Sequence, residues 1–265
     1  MALEPPSLGS RLAAWLPFVL SAALAALGIR IALREPWLAI ALAFVVATLM
    51  LPGLRERRRI RRVLQSGDIR SVLSAWTESF TRVPHPETLG PLITATAFAS
   101  CGWIEQARTS LSRASRGPVW DAAIEHRLIV ETLLDCFEGE RIAAIEKAER
   151  LAALPLPVTG PFLRARIRTL RAAMGALARA FARMPRRGDR SLLEQAAGSN
   201  PLIHWPMRYA ASIIAIDEGD VARARRLIAD APAWPTESAF HAFHAELATI
   251  VGLPTPASVE PEPMT

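Results

Sequence analysis

The sequence predicts an all-α protein, a two-helix N-terminal transmembrane hairpin followed by an irregular helical-repeat solenoid, and three observations predict it. Two runs without a charged residue, Leu12 to Ile29 and Trp37 to Leu54, stand near the N-terminus. Six arginines follow at once, Arg55, Arg57, Arg58, Arg59, Arg61 and Arg62. The remainder is rich in Ala, Leu, Arg and Glu and shows no sustained alternation of polar and β-branched residues, a helix-favouring composition.

Each apolar run holds 18 residues, roughly 27 Å of helix at 1.5 Å per residue, close to the ~30 Å hydrocarbon core of a bilayer. Arginine is costly at mid-membrane, and here Arg11, Arg30 and Arg34 all lie at run ends, where they can snorkel. Trp15 and Trp37 lie near run starts, at headgroup depth. The competing readings are a buried hairpin in a soluble protein and a cleaved signal peptide. Against the second, the chain turns over Arg30 to Pro36 and becomes apolar again. Small residues four apart, Ser21 and Ala25, Ala22 and Ala26, then Ala39, Ala43 and Ala47, allow the two helices to approach closely. The arginine excess after the second run places both the N-terminus and the large C-terminal part in the cytoplasm. The expectation is an integral protein of a bacterial inner membrane. Its domains are a short segment 1–11, the hairpin 12–54, an arginine-rich juxtamembrane segment 55–66, a helical domain 67–253 and a tail 254–265. The six arginines are expected to contact anionic lipid.

A recurring glycine organises the helical domain: Gly67-Asp68-Ile69, Gly102-Trp103-Ile104, Gly139-Glu140-Arg141, Gly188-Asp189-Arg190 and Gly219-Asp220-Val221. The gaps of 35, 37, 49 and 31 residues suit stacked helix pairs. Apolar or small residues follow at fixed offsets, as in Ile69, Val72, Trp76, then Ile104, Ala107, Leu111, then Val221, Ala224, Ile228; each set lies on one helix face. Gly102, Ile104, Ala107, Leu111 and Ala114, and again Gly219, Val221, Ala224, Ile228 and Ala231, resemble the second helix of tetratricopeptide repeats, with looser matches around Gly67 and Gly139. The first-helix pattern of that family is absent from every unit. The resemblance spans about Leu64 to Pro232. It implies a solenoid whose first helices line a concave, partner-binding groove.

Element by element, the glycines and prolines predict helices over Arg57–Ser66, Ile69–Arg82, Thr88–Ser100, Ile104–Ser115, Val119–Glu138, Arg141–Ala153 and Phe162–Met184. Further helices are expected over Ser191–Ala197, Leu202–Glu218, Val221–Asp230 and Glu237–Val251. Pro84, Pro86, Pro155, Pro157, Pro185 and Pro232 punctuate them, since proline lacks the amide donor and clashes inside a helix. The tail from Pro254, with four prolines, is expected to be disordered.

On the implied groove, Leu92, Thr96, Ala99, His126, Ile129, Leu133, Tyr209, Ile213 and Ile216 are the candidate partner contacts. The stretch Phe162 to Arg190 carries nine arginines and no acid before Asp189. It could meet phosphate or an acidic partner, or simply be the solvated back of the apolar stripe Ile167, Leu170, Met174, Leu177 and Phe181. No stacking platform interleaves with it, so nucleic acid is not an expected partner. The net charge of +6 is accounted for by the juxtamembrane arginines alone. The preference for arginine over the single lysine, Lys147, reads as genomic composition.

His241 and His244 are three apart on one helix, a spacing a metal can use, yet further ligands are lacking and Phe240, Phe243 and Leu247 already mark a packing face. Cys101 and Cys136 are expected to be reduced and buried. The cluster Asn200 to Tyr209, with His204, Trp205 and the only tyrosine, is polar and aromatic, suited to a ligand or to packing between repeats. No phosphate-cradling loop, metalloprotease motif or nucleophile elbow occurs, so neither an enzyme nor a cofactor is expected. The leading expectation is a membrane-anchored adaptor for an unidentified protein. The alternative is an accessory or regulatory subunit of a membrane enzyme or transporter, recognised through its hairpin; a hydrolase using His204, His241 or His244 is a third.

Overall fold

The structure, a computed structural model, describes residues 58–80, 83–158 and 160–253 and the single positions 37, 40, 44, 48, 51 and 55, with the backbone alone over 75–80. The segment 1–11, Arg57, the tail 254–265 and, apart from those single positions, the two expected spans lie outside the described residues. Among the described residues no helix is long and apolar enough to cross a membrane. The chain divides into two units, Met1–Arg59 and Ile60–Thr265. In the first, the single described positions are helical and exposed.

In the second unit, residues 60–65 are helical. Then come α1 (Ile69–Phe80), α2 (Pro86–Ser100), α3 (Ile104–Ala114), α4 (Ile124–Glu138) and α5 (Arg141–Ala153). The order continues with α6 (Pro161–Phe181), α7 (Asp189–Ser199), α8 (His204–Asp217), α9 (Val221–Ile228) and α10 (Ala239–Ile250). The described residues contain no strand, so the fold is all-α.

The five recurring glycines share one conformation. Gly67, Gly102, Gly139, Gly188 and Gly219 have φ between 72° and 93°, the left-handed region that a side chain disfavours. Gly67, Gly102, Gly139 and Gly219 each end one helix and reverse the chain into the next, whereas Gly188 is the N-cap of α7, beyond a loop that follows α6; the helix pairs are α2/α3, α4/α5, α6/α7 and α8/α9 after the short helix and α1. The aspartate that follows does a second job in two turns. Asp68 accepts from the Arg70 amide at 3.0 Å and Asp220 from the Arg223 amide at 3.0 Å, satisfying donors of the next helix's open first turn. Asp189 instead binds the Arg186 amide and the Arg179 guanidinium, which holds its carboxyl below the usual carboxylate range in spite of burial.

Two helix ends depart from expectation by three residues or more. Helix α4 begins at Ile124 rather than Val119, because Gly117-Pro118 leads into a single turn, closed by the Ala123 amide on the Val119 carbonyl at 3.0 Å, before the helix starts. Helix α6 ends at Phe181 rather than Met184, since Arg183 is left-handed at φ 58°.

The first helices pack on one another, α2 on α4, α4 on α6 and α6 on α8, and α8 returns to touch α2. That last contact closes the stack. Leu92 of α2, Leu133 of α4, Leu177 of α6 and Tyr209 of α8 are each fully buried as a result. At the glycine-turn end the chain's own C-terminal segment covers the stack. Trp234, Phe240 and Phe243 interleave with Phe137, Phe181 and Tyr209, with ring centroids 4.8 to 6.4 Å apart and mostly edge-to-face, worth about 0.5–1.5 kcal/mol per pair beyond burial. Ser238 fastens the segment: its hydroxyl donates to the Cys101 carbonyl at 2.7 Å and accepts from the Phe240 amide at 3.1 Å, while the Ala239 amide donates to the Gly102 carbonyl at 2.8 Å.

Candidate functional site

With one end of the stack plugged, the first helices leave a cavity of about 180 Å³ among Thr96, His126, Ile129, Leu170, Asn200, Leu202 and Ile203. Helix α2 supplies Thr96, α4 supplies His126 and Ile129, α6 supplies Leu170, and the approach to α8 supplies the rest. The Thr96 hydroxyl is committed to the Leu92 carbonyl at 2.9 Å, one turn back in its own helix. His126 is exposed and Asn200 half-buried, and together they give the rim its polar groups; Ile129, Leu170 and Ile203 give the apolar wall. The volume lies below the roughly 300–1,000 Å³ of sites that enclose drug-sized ligands. It suits one inserted side chain.

Of the nine expected groove residues, the structure brings Thr96, His126 and Ile129 together at this cavity. Leu92, Ala99, Leu133, Tyr209 and Ile213 are instead interior, at 3 % exposure or less, because the α8 to α2 contact turns the inner face of an open solenoid into a core. Ile216 is half-buried against that core. Sequence reasoning missed Leu170 and Leu202 as lining residues. Leu170 stood in the α6 apolar stripe, and Asn200 began the cluster singled out for its polar aromatic character.

That cluster is a buried hydrogen-bond network. The Tyr209 hydroxyl accepts from Trp234 Nε1 at 2.6 Å and lies 3.2 Å from His244 Nδ1; burial pushes its pKa upward. Trp205 Nε1 donates to the Gln65 carbonyl at 2.8 Å. His204 Nδ1 lies 2.9 Å from the Ala197 carbonyl and its Nε2 lies 3.3 Å from Arg208 Nη1. A cation facing Nε2 requires the neutral ring, with its proton on Nδ1. Burial first, then Arg208, lowers the His204 pKa accordingly. His241 and His244 have separate partners, the Trp234 carbonyl and the Tyr209 hydroxyl. Among the described residues no three His, Cys, Asp or Glu side chains converge as a metal would require.

The arginine-rich stretch is divided by what other elements supply. Arg171 is 4 % exposed and forms a two-pronged pair with Glu125 at 2.9 and 3.1 Å while donating to the Leu154 carbonyl at the end of α5. Arg179 pairs with Asp189, Arg183 with Asp217, and Arg190 with Glu218 and Asp220. Arg166 donates to the Ser199 carbonyl at the end of α7. Arginines 55, 58, 59, 61 and 62 are exposed, and Arg61 donates to the Gly198 carbonyl at 3.1 Å.

Compared with known proteins, the chain matches no protein-family model, no curated protein and no solved structure.

Proposed function

We propose that this chain is a membrane-anchored helical-repeat adaptor: a tetratricopeptide-like array held on the cytoplasmic face of a bacterial inner membrane by a hairpin of two spans. The cavity formed by Thr96, His126, Ile129 and Leu170 carries the reading, because three successive first helices converge on a space sized for one side chain. A partner would place an apolar residue against Ile129 and Leu170 and a polar group against His126 or Asn200. One such anchor is weak by itself. Holding the array at the bilayer raises the effective concentration of a membrane-associated partner and so multiplies that contact.

The left-handed glycines support the repeat likeness, since Gly67, Gly102 and Gly139 each end one helix and open the next at gaps of 35 and 37 residues, a spacing that suits stacked helix pairs. For the anchor, the described positions Trp37, Ile40, Phe44 and Leu51 are large apolar residues left exposed, as lipid-facing residues of a span would be.

The test is photo-crosslinking of the intact chain in its native membrane, with benzoylphenylalanine at position 126 or, separately, at position 43. A discrete protein adduct from 126 that disappears on Leu202→Glu, a half-buried lining residue, with the folded state retained by circular dichroism, is the expected result. Adducts from 43 alone would move recognition to the hairpin and make the protein an accessory subunit of a membrane complex. No adduct from either position would refute both readings.

A further inference from the structure

The N-terminal end of α6 is unlike the rest of the second unit. Val158 and Phe162 are among the most exposed large apolar residues in that unit, at 104 % and 92 %, and Leu163 beside them is 49 % exposed. Residues 160–166 are all exposed, so the first turns of this helix project beyond the array. Arg164, Arg166 and Arg168 lie just behind, and none forms an ion pair among the described residues, although every other arginine of the helix proper, Arg171 and Arg179, is paired to an acid. Arg166 spends one N–H on the Ser199 carbonyl and keeps four for other acceptors. The first turn of α6 carries no acid, which leaves the positive end of the helix dipole uncompensated.

The spacing has a physical meaning. From Phe162 to Arg166 the helix rises about 6 Å, and to Arg168 about 9 Å. An apolar tip backed at that depth by a collar of arginines matches the boundary between acyl chains and phosphates, where interfacial helices bury about 5–10 Å. Apolar residues exposed singly are ordinary; a projecting cluster with a basic collar is not.

We infer that the tip of α6 is a membrane-surface contact, in which Val158, Phe162 and Leu163 enter the interface of an anionic bilayer while Arg164, Arg166 and Arg168 bind lipid phosphates. This contact is separate from the N-terminal hairpin and does not depend on it. It would fix the orientation of the array on the bilayer, which a two-span tether alone leaves free.

The test uses the full chain carrying Val158→Cys, labelled with an environment-sensitive nitrobenzoxadiazole dye. Cys101 and Cys136 are buried and their thiols are pushed up, to about 12 for Cys101, so the new thiol reacts selectively. The protein is reconstituted into vesicles of phosphatidylcholine with or without phosphatidylglycerol, each with and without brominated acyl chains. The expected result is a blue shift and bromolipid quenching in the anionic vesicles, weakened at high salt and lost on joint Arg164→Glu, Arg166→Glu and Arg168→Glu. Should that triple variant fail to fold by circular dichroism, the salt dependence of the single-cysteine protein decides. An unchanged spectrum in anionic vesicles overturns the inference, as does equal quenching in neutral ones. A shift produced by inorganic phosphate or by polyglutamate without lipid also overturns it, assigning the tip to a free anion or an acidic chain. Retention of the same protein on vesicles through an alkaline carbonate wash reports the hairpin independently, so failure of the tip and failure of the anchor are distinguishable.

Discussion

Gly102 and Gly219 form a matched pair on which the role of the C-terminal segment can be measured. Both have φ 77°, so replacing either with alanine imposes the same left-handed penalty of about 1–2 kcal/mol. Their surroundings differ. A Cβ on Gly219 meets nothing within 4 Å, whereas one on Gly102 would lie 2.5 Å from Ser238 Oγ and 2.9 Å from the Phe240 ring. Neither neighbour can move freely: Ser238 is tied to the Cys101 carbonyl and the Phe240 amide, and Phe240 is fully buried among aromatic rings. Losing the cap and the buried hydrogen bond adds about 1.5–3 kcal/mol to the backbone term in Gly102→Ala. At about 2–4 °C per kcal/mol for a domain of this size, Gly219→Ala should lower Tm by about 2–8 °C and Gly102→Ala by clearly more. Thermal unfolding by circular dichroism reads the difference, and amide hydrogen exchange over 239–250 should accelerate in Gly102→Ala alone. Equal shifts in Tm with unchanged exchange would refute the claim that α10 is seated on the α2–α3 turn.

Tyr209→Phe removes the acceptor of Trp234 Nε1 and the partner of His244 inside the core, so it should cost about 1–3 kcal/mol in urea unfolding. Asp135 is 4 % exposed and joins Arg108 of α3 to Lys147 of α5 at 3.2 and 2.6 Å; because those cations are partly solvated, Asp135→Asn should destabilise by about 1.5–3 kcal/mol in the same assay. Acidification should also destabilise. Burial, aided by Arg208 and Arg61 and opposed by the Ala197 carbonyl and Asp230, holds His204 below its ordinary value of 6.5, and burial with His241 nearby does the same for His244. Below pH 6.5 the unfolded chain therefore binds protons that the folded chain does not, and stability falls as pH drops toward the folded values. Urea midpoints that stay level from pH 7 to pH 5 would contradict this.

Local structure was legible because it is written in local chemistry. Gly102 and Ile104, or Gly219, Asp220 and Val221, state the end of one helix, its left-handed turn and the start of the next within three residues. The start of α5 at Arg141 and its end at Ala153, ahead of Leu154-Pro155, follow from the same rules. The groove was less legible. An inner helix face reads the same whether it lines an open channel or meets another inner face, so Leu92 and Tyr209 could not be told from contact residues until α8 was seen against α2. Thr96, His126 and Ile129 border open space only because they lie at the unplugged end.

The arginines show where local chemistry stops. By itself the sequence determined that these helices would form, where each would turn, and that one long helix would carry positive charge without a neighbouring acid. Tertiary structure decided what that charge does. Arg171 meets Glu125, 46 residues away, and the carbonyls that end α5; Arg208 caps α9 through the Leu227 and Arg226 carbonyls, and Arg225 caps α10 through Val251. Helix C-termini expose carbonyls with a partial negative charge, and a long guanidinium from another helix reaches them wherever packing brings the two together. Propensity and turn geometry depend on a few adjacent residues, whereas ion pairs and core membership depend on which distant helices pack side by side, and that is set by the whole chain at once.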